Sequence, residues 1–71
     1  MTRLATFMTQ NGITDEQLAI QAGVATDTVR KIREGRTDPK RPTIVWLTGA
    51  AARILRRRVR ARELFDLGDD G

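Results

Sequence analysis

The chain has 71 residues, enough for one small domain, because a chain of this size buries only about 60% of its unfolded surface. It carries 13 Lys and Arg against 9 Asp and Glu, a net charge of +4, and contains neither cysteine nor histidine. These absences exclude disulfides and thiolate zinc sites and remove the commonest general base, so we expect no enzyme, no metal and no cofactor. Its apolar runs fall far short of the roughly 20 residues that span a bilayer, which predicts a soluble, cytoplasmic protein.

The basic residues are concentrated in the middle of the chain. Residues 1–29 carry one base and three acids, residues 30–62 carry twelve bases and two acids, and residues 63–71 carry four acids and no base. Eleven of the thirteen bases are arginine, whose planar guanidinium matches phosphate oxygens and guanine edges. This distribution favours a polyanionic partner over a solvated surface of mixed charge.

Helical periodicity recurs along the chain and predicts an all-α fold of four or five helices. The first predicted helix, residues 2–10, places three apolar side chains on one stripe and is followed by Gly12, which suits a left-handed terminal position. The second follows a capping box, in which Thr14 and Gln17 each bond the other's backbone amide, and ends at Gly23. It is short, so tertiary packing has to hold it.

The third predicted helix spans residues 26–34 and alternates charged positions with two apolar ones. Val29 and Ile32 are expected in the core, and they decide which face of this helix points outward. Two residues are candidates for its N-cap. Ala25 precedes the helix but offers no side-chain acceptor, whereas Thr26 could cap and shift the start by one residue.

The fourth predicted helix, residues 43–55, is apolar on more than one face, so a second copy of the chain is the natural candidate to cover what the domain leaves open. Trp46 could equally belong to the chain's own core. We assign a dimer interface to Val45, Trp46, Ile54 and Phe65. A last short helix is marked by Val59, Leu64, Phe65 and Leu67. The domain is therefore expected over residues 1–67, with a flexible acidic tail at 68–71.

Residues 22–25 join the second and third helices, as in a helix-turn-helix. The stretch from residue 13 to residue 43 resembles the lambda-repressor-like family, also called the Cro/CI or XRE family. The matching residues are Gly12-Ile13-Thr14, Glu16, Leu18-Ala19, Ala22-Gly23-Val24, Thr28-Val29, Ile32, Gly35, Pro39 and Thr43-Ile44. Residues 59–65 are similar to the closing segment of the family, so the resemblance covers about 60 residues.

The resemblance implies a compact four- to five-helix domain that acts as a homodimer on a two-fold symmetric DNA operator and represses transcription. The base-reading residues would be Thr26, Asp27, Thr28 and Arg30. The phosphate contacts would be Thr14, Gln17, Lys31, Arg36, Thr37, Lys40 and Arg41. Asp15 departs from the pattern, because family members often carry Gln at this position and a carboxylate would repel a phosphate.

These observations predict a small Cro-like repressor, in a bacterium or a phage-infected cell and associated with the nucleoid. Arg30 could bind guanine or form only an ion pair with Asp27. The arginines of residues 56–62 could extend the DNA contact, bind an acidic partner or solvate the surface. The alternative function is a protein-interaction module, such as an antitoxin or antirepressor, that docks through helix 43–55.

Overall fold

A computed structural model describes residues 2–66, which fold into five α-helices. They are α1 (Arg3–Asn11), α2 (Asp15–Ala22), α3 (Thr26–Arg33), α4 (Arg41–Leu55) and α5 (Ala61–Leu64). Residues 2–66 contain no strand, so the predicted all-α class is confirmed. Leu67 and the predicted tail, residues 68–71, lie outside the described residues.

The ends of α1 and α2 follow from residues within a few positions of each end. The capping box predicted before α2 is confirmed: Thr14 Oγ1 accepts from the Gln17 amide at 3.1 Å, and Gln17 Oε1 accepts from the Thr14 amide at 2.9 Å. Gly12 and Gly23 end α1 and α2 with positive φ angles of 65° and 76°. Glycine adopts this left-handed conformation at little cost, so both helices stop at the glycine that the sequence predicts, although α1 spans residues 3–11 and not 2–10.

α3 and α4 begin at positions that the sequence left open or placed differently. α3 starts at Thr26 with Ala25 as its N-cap, and no side chain caps it, so the alternative in which Thr26 is the cap is wrong. α4 starts at Arg41, ahead of the apolar stretch 43–55, with Pro42 as its second residue. Proline fits there because the amides of the first turn have no partner within the helix.

The last helix is shorter than the apolar pattern suggested. α5 is a single turn, and Val59 precedes it in an irregular segment while Phe65 follows it. Both side chains are 8% exposed and belong to the core. They therefore act as apolar anchors on either side of α5, which fixes this short helix by packing.

The core lies between all five helices, and its largest fully buried side chains are Leu4, Leu18, Val29, Leu47 and Leu64. α2 packs on α3 and α4, while α1 packs on α3 and α5. α4 has 15 residues, and no helix within residues 2–66 is long and apolar enough to cross a membrane. One side of α4 is buried through Leu47, Ala50 and Ala51, and the opposite side is open to solvent.

Candidate nucleic-acid interface

α2 and α3 are joined by only three residues, 23–25, and pack directly against each other. The amides of Gly23 and Val24 both bond the Ala19 carbonyl, at 2.9 Å and 3.1 Å, which closes the end of α2. Val29 and Ile32 are buried beneath α3, as their spacing predicts. The opposite face of α3 is therefore presented to solvent.

The four predicted base-reading residues lie at the start and on the outer side of α3. Thr26 and Arg30 are exposed, one turn apart, and the Asp27 side chain is half exposed. Thr28 is partly buried at the edge of this surface. The fold thus brings Thr26, Asp27 and Arg30 together on one solvent-facing surface, with Thr28 beside it.

Each cation on the outer side of α3 has an acidic neighbour. Asp27 forms ion pairs with Arg30 and with Lys31, the latter at 3.1 Å, and Glu34 pairs with Arg36 at 3.1 Å. The ion pair with Asp27, which the sequence left open as the alternative role of Arg30, is thus formed in the absence of DNA. Exposed pairs of this kind contribute only tenths of a kcal/mol, so a stronger acceptor can replace the carboxylate.

The firmest polar contact of this region joins the first residue of α2 to the last residue of α3. Arg33 Nε donates to Asp15 Oδ1 at 2.7 Å, and Arg33 Nη2 donates to Asp15 Oδ2 at 3.0 Å. The hydrogen bond from Arg33 to the carboxylate raises the pKa of Arg33. The Thr2 hydroxyl also donates to the Arg33 carbonyl, at 2.5 Å, and this contact ties the end of α3 to the start of α1.

The bidentate bridge explains why an acidic residue occupies position 15. Sequence reasoning treated Asp15 as a departure from the family pattern whose carboxylate would repel a phosphate. It assigned no role to Arg33, because the two residues are 18 positions apart and no local pattern connects them. Because the planar guanidinium of Arg33 makes two hydrogen bonds to one carboxylate, the bridge fixes the orientation of α3 relative to α2.

The predicted phosphate contacts fall into two groups. Thr14 and Gln17 are exposed at the start of α2, where the Gln17 oxygen is used in the capping box and its amide nitrogen is left to donate outward. The second group is exposed in the last turn of α3 and in the residues that follow it, and it carries most of the charge: Lys31, Arg36, Thr37, Lys40 and Arg41. Lys40 and Arg41 have no carboxylate within 4 Å among residues 2–66.

The predicted dimer interface separates into open and buried members. Val45 is 61% exposed and Trp46 is 51% exposed, so the alternative that Trp46 belongs to the chain's own core is wrong. Ile54 is partly buried against the core, and Phe65, at 8% exposed, has little surface left for a partner because it anchors α5. Sequence reasoning also missed Ile20 on α2, which is 69% exposed.

Comparison of the chain with protein-family models, with curated proteins and with solved structures finds no match. The resemblance to the lambda-repressor-like family stays a prediction. Within residues 2–66, no three of the side chains that commonly bind metals come together in one group.

Proposed function

We propose that the chain is a sequence-specific regulator of transcription that binds double-stranded DNA, as a homodimer on an inverted-repeat operator, and blocks transcription as a small Cro-like repressor does. α2 and α3 would form a helix-turn-helix in which α3 enters the major groove. The proposal rests on one observation above all: Thr26, Asp27 and Arg30 share a solvent-facing surface on a helix whose opposite side is locked into the core.

The chemistry of that surface fits the edges of base pairs. Arg30 can place two donors on guanine O6 and N7, a contact that discriminates against other bases by roughly 1–3 kcal/mol. Asp27 can keep the guanidinium in position or accept from a cytosine amino group. Because the ion pair between them is exposed, DNA replaces it at a cost of only tenths of a kcal/mol.

The surrounding residues supply contacts to the DNA backbone. The amide nitrogen of Gln17 lies at the start of α2, and Lys40 and Arg41 lie beyond α3 with no carboxylate within 4 Å among residues 2–66. Such contacts place α3 in the groove without selecting a sequence. The bridge between Asp15 and Arg33 supports the same task, because it holds α3 in one orientation relative to α2.

A dimer would place two copies of α3 in successive major grooves, about 34 Å apart. Val45 and Trp46 are the residues of the predicted interface that the chain itself leaves open. Aromatic side chains are enriched at the centres of protein interfaces, which supports pairing of two copies through this side of α4.

The decisive experiment is selection of bound sites from a random duplex library, with the full chain, across a salt series. We expect an inverted repeat with half-sites about ten base pairs apart. The variant Arg30→Gln should weaken binding to the selected site roughly 5- to 150-fold. Arg3→Gln is the charge-matched control outside α2 and α3. The Arg3 side chain donates to the Arg62 carbonyl at 3.1 Å, so its loss can change overall affinity slightly, but the selected motif should not change.

Two results would contradict the proposal. One is undetectable binding to any duplex below about 100 mM salt, where contacts to phosphate are strongest. The other is binding in which Arg30→Gln and Arg3→Gln behave alike, because α3 would then make no contact of its own.

The second candidate is a protein-interaction module that docks another protein through α4. The exposure of Val45 and Trp46 favours it equally well, since an open apolar side of a helix can bind any complementary surface. Light scattering after size-exclusion chromatography separates the two candidates. A homodimer that dissociates on Trp46→Ala supports the repressor, whereas a monomer that binds no duplex supports the module.

A further inference from the structure

The segment between α4 and the end of α5 carries a second concentration of cations, distinct from the outer side of α3. Five of its seven residues are arginine: Arg56, Arg57, Arg58, Arg60 and Arg62. We call residues 56–62 the arginine segment. All five arginines are exposed, and among residues 2–66 only Arg57 has a carboxylate within 4 Å, that of Glu63 at 3.3 Å.

The backbone of the arginine segment holds one of these cations at an energetic cost. Arg56 ends α4 with a φ of 55°, in the left-handed region, and no other residue except glycine within residues 2–66 has a positive φ. In the left-handed conformation, any residue other than glycine costs the fold roughly 1–2 kcal/mol of stability. Glycine does occupy the corresponding positions after α1 and α2, so the arginine after α4 is unfavourable for the fold itself.

Within the arginine segment itself, the exposed side chains are cationic and no large apolar side chain is exposed. Its one large apolar side chain, Val59, is 8% exposed and points into the core. A protein interface normally has an apolar centre surrounded by polar residues, and here the exposed side chains are guanidinium groups. Guanidinium binds phosphate oxygens in bidentate fashion, so a polyphosphate backbone suits this surface better than a protein does.

The arginine segment is continuous with cations already assigned to phosphate. Arg41, Ile44, Val45 and Ala61 line one shallow cavity, so the first turn of α4 lies beside the first residue of α5. Arg60 and Arg62 flank Ala61, and Lys40 precedes Arg41. Residues 40–41 and the arginine segment therefore meet at this cavity, whose other lining residues, Ile44 and Val45, are apolar.

We propose that the arginine segment is a second phosphate-binding surface, which contacts the backbone of duplex DNA beyond the base pairs that α3 reads. It adds affinity for every sequence alike. This inference rests on the proposed function for the identity of the ligand. It differs from that function in assigning binding to a region outside α2 and α3.

The expected signature is in the salt dependence. Each phosphate neutralised by a cation contributes about −0.9 to the slope of log K against log salt. Arg58→Gln/Arg62→Gln removes two charges whose side chains make no hydrogen bond or ion pair within residues 2–66. The contacts that Arg57 and Arg3 make with these residues go to their backbone carbonyls, which glutamine keeps. We expect this variant to reduce the magnitude of the slope by about 1.8, on a selected site and on random duplex alike.

The matched variant is Arg30→Gln/Lys31→Gln, which removes the same charge from α3. We expect it to lower the ratio of affinities for selected and random duplex, whereas Arg58→Gln/Arg62→Gln should leave that ratio unchanged within about twofold. Circular dichroism of both variants confirms that they remain helical. The measurement is a fluorescence-anisotropy titration of full-length chain at four salt concentrations.

Each failure has a different cause. If Arg58→Gln/Arg62→Gln leaves the slope unchanged while the α3 variant loses its preference, the arginine segment does not bind DNA and the proposed function stands. If the α3 variant keeps its preference, the proposed function is wrong. If the arginine-segment variant loses the preference for the selected site, the segment reads sequence and the inference is overturned. If the chain binds polyglutamate at least as tightly as duplex, and only through Arg58 and Arg62, the partner is an acidic protein.

Discussion

The outer side of α3 and the arginine segment both present guanidinium groups to solvent, but they hold them in different ways. On α3, Asp27 neutralises Arg30 and Lys31, and two buried side chains fix the helix beneath them. In the arginine segment, four of five arginines have no carboxylate within 4 Å among residues 2–66. The irregular stretch before α5 is held by the buried side chain of Val59 and by the contacts of Arg57 and the Arg60 amide with Glu63.

This difference matters for what each region can recognise. A cation that is positioned by a neighbouring carboxylate on a rigid helix can discriminate between base edges, because its direction is set before binding. Cations on an irregular segment with no carboxylate nearby among residues 2–66 can follow a phosphate backbone but have no fixed direction in which to read bases. The distribution of acids, more than that of arginines, therefore distinguishes the two surfaces.

The largest effect should come from the support beneath α3. Ile32→Ala removes a side chain that is 5% exposed and should lower the free energy of unfolding by about 2–5 kcal/mol. Lys31→Ala, next to it on the exposed face, should change stability by less than about 0.5 kcal/mol. Urea unfolding followed by circular dichroism measures both. Equal losses of stability in the two variants would show that packing of Ile32 in the core does not hold α3 in place.

A smaller loss should follow from breaking the bridge between α2 and α3. Asp15→Asn removes a bidentate, partly buried ion pair and should cost about 1 kcal/mol, the upper range for pairs with solvent access. Glu16→Gln is the control, because it removes the same charge from the same first turn of α2. A loss in the control as large as in Asp15→Asn would assign the effect to the helix dipole and not to Arg33.

In the arginine segment, in contrast, one substitution should increase the stability of the fold. Arg56→Gly relieves the left-handed conformation and should raise the free energy of unfolding by about 0.5 kcal/mol, since the gain exceeds the greater flexibility of glycine in the unfolded chain. Arg58→Gly removes the same charge at a position without positive φ and should not stabilise. Thermal unfolding of the two variants checks this, and stabilisation by both would point to charge repulsion instead.

The smallest effect concerns pH and the start of α5. A hydrogen bond from the Arg60 amide, aided by Arg57, holds the pKa of Glu63 below its ordinary value of 4.5. The carboxylate therefore stabilises the fold above pH 4.5, and this contribution is lost as the pH falls through the lower folded pKa. The stability difference between the native chain and Glu63→Gln should shrink from pH 7 to pH 3 in urea titrations. A difference that grows instead would mean that the carboxylate does not stabilise α5.

Several features of the fold could be predicted because they depend on neighbours in the sequence. The capping box of Thr14 and Gln17 needs two residues three positions apart, and the inward direction of Val29 and Ile32 follows from helical spacing. The outward position of Arg30 follows from the inward direction of Val29 and Ile32. The same local reasoning left the cap of α3 open, since Ala25 supplies no side-chain bond that a pattern could reveal.

What only the tertiary structure decided lies in contacts between distant segments. The sequence by itself determined the all-helical class, the capping box before α2, the glycines that end α1 and α2 and the outward face of α3, because these depend on interactions across one or two turns. It did not determine that Arg33 would meet Asp15, that Phe65 would be buried while Trp46 stays open, or that Arg41 would lie beside α5. Those outcomes depend on how all the helices pack at once, and no single stretch of sequence carries that information.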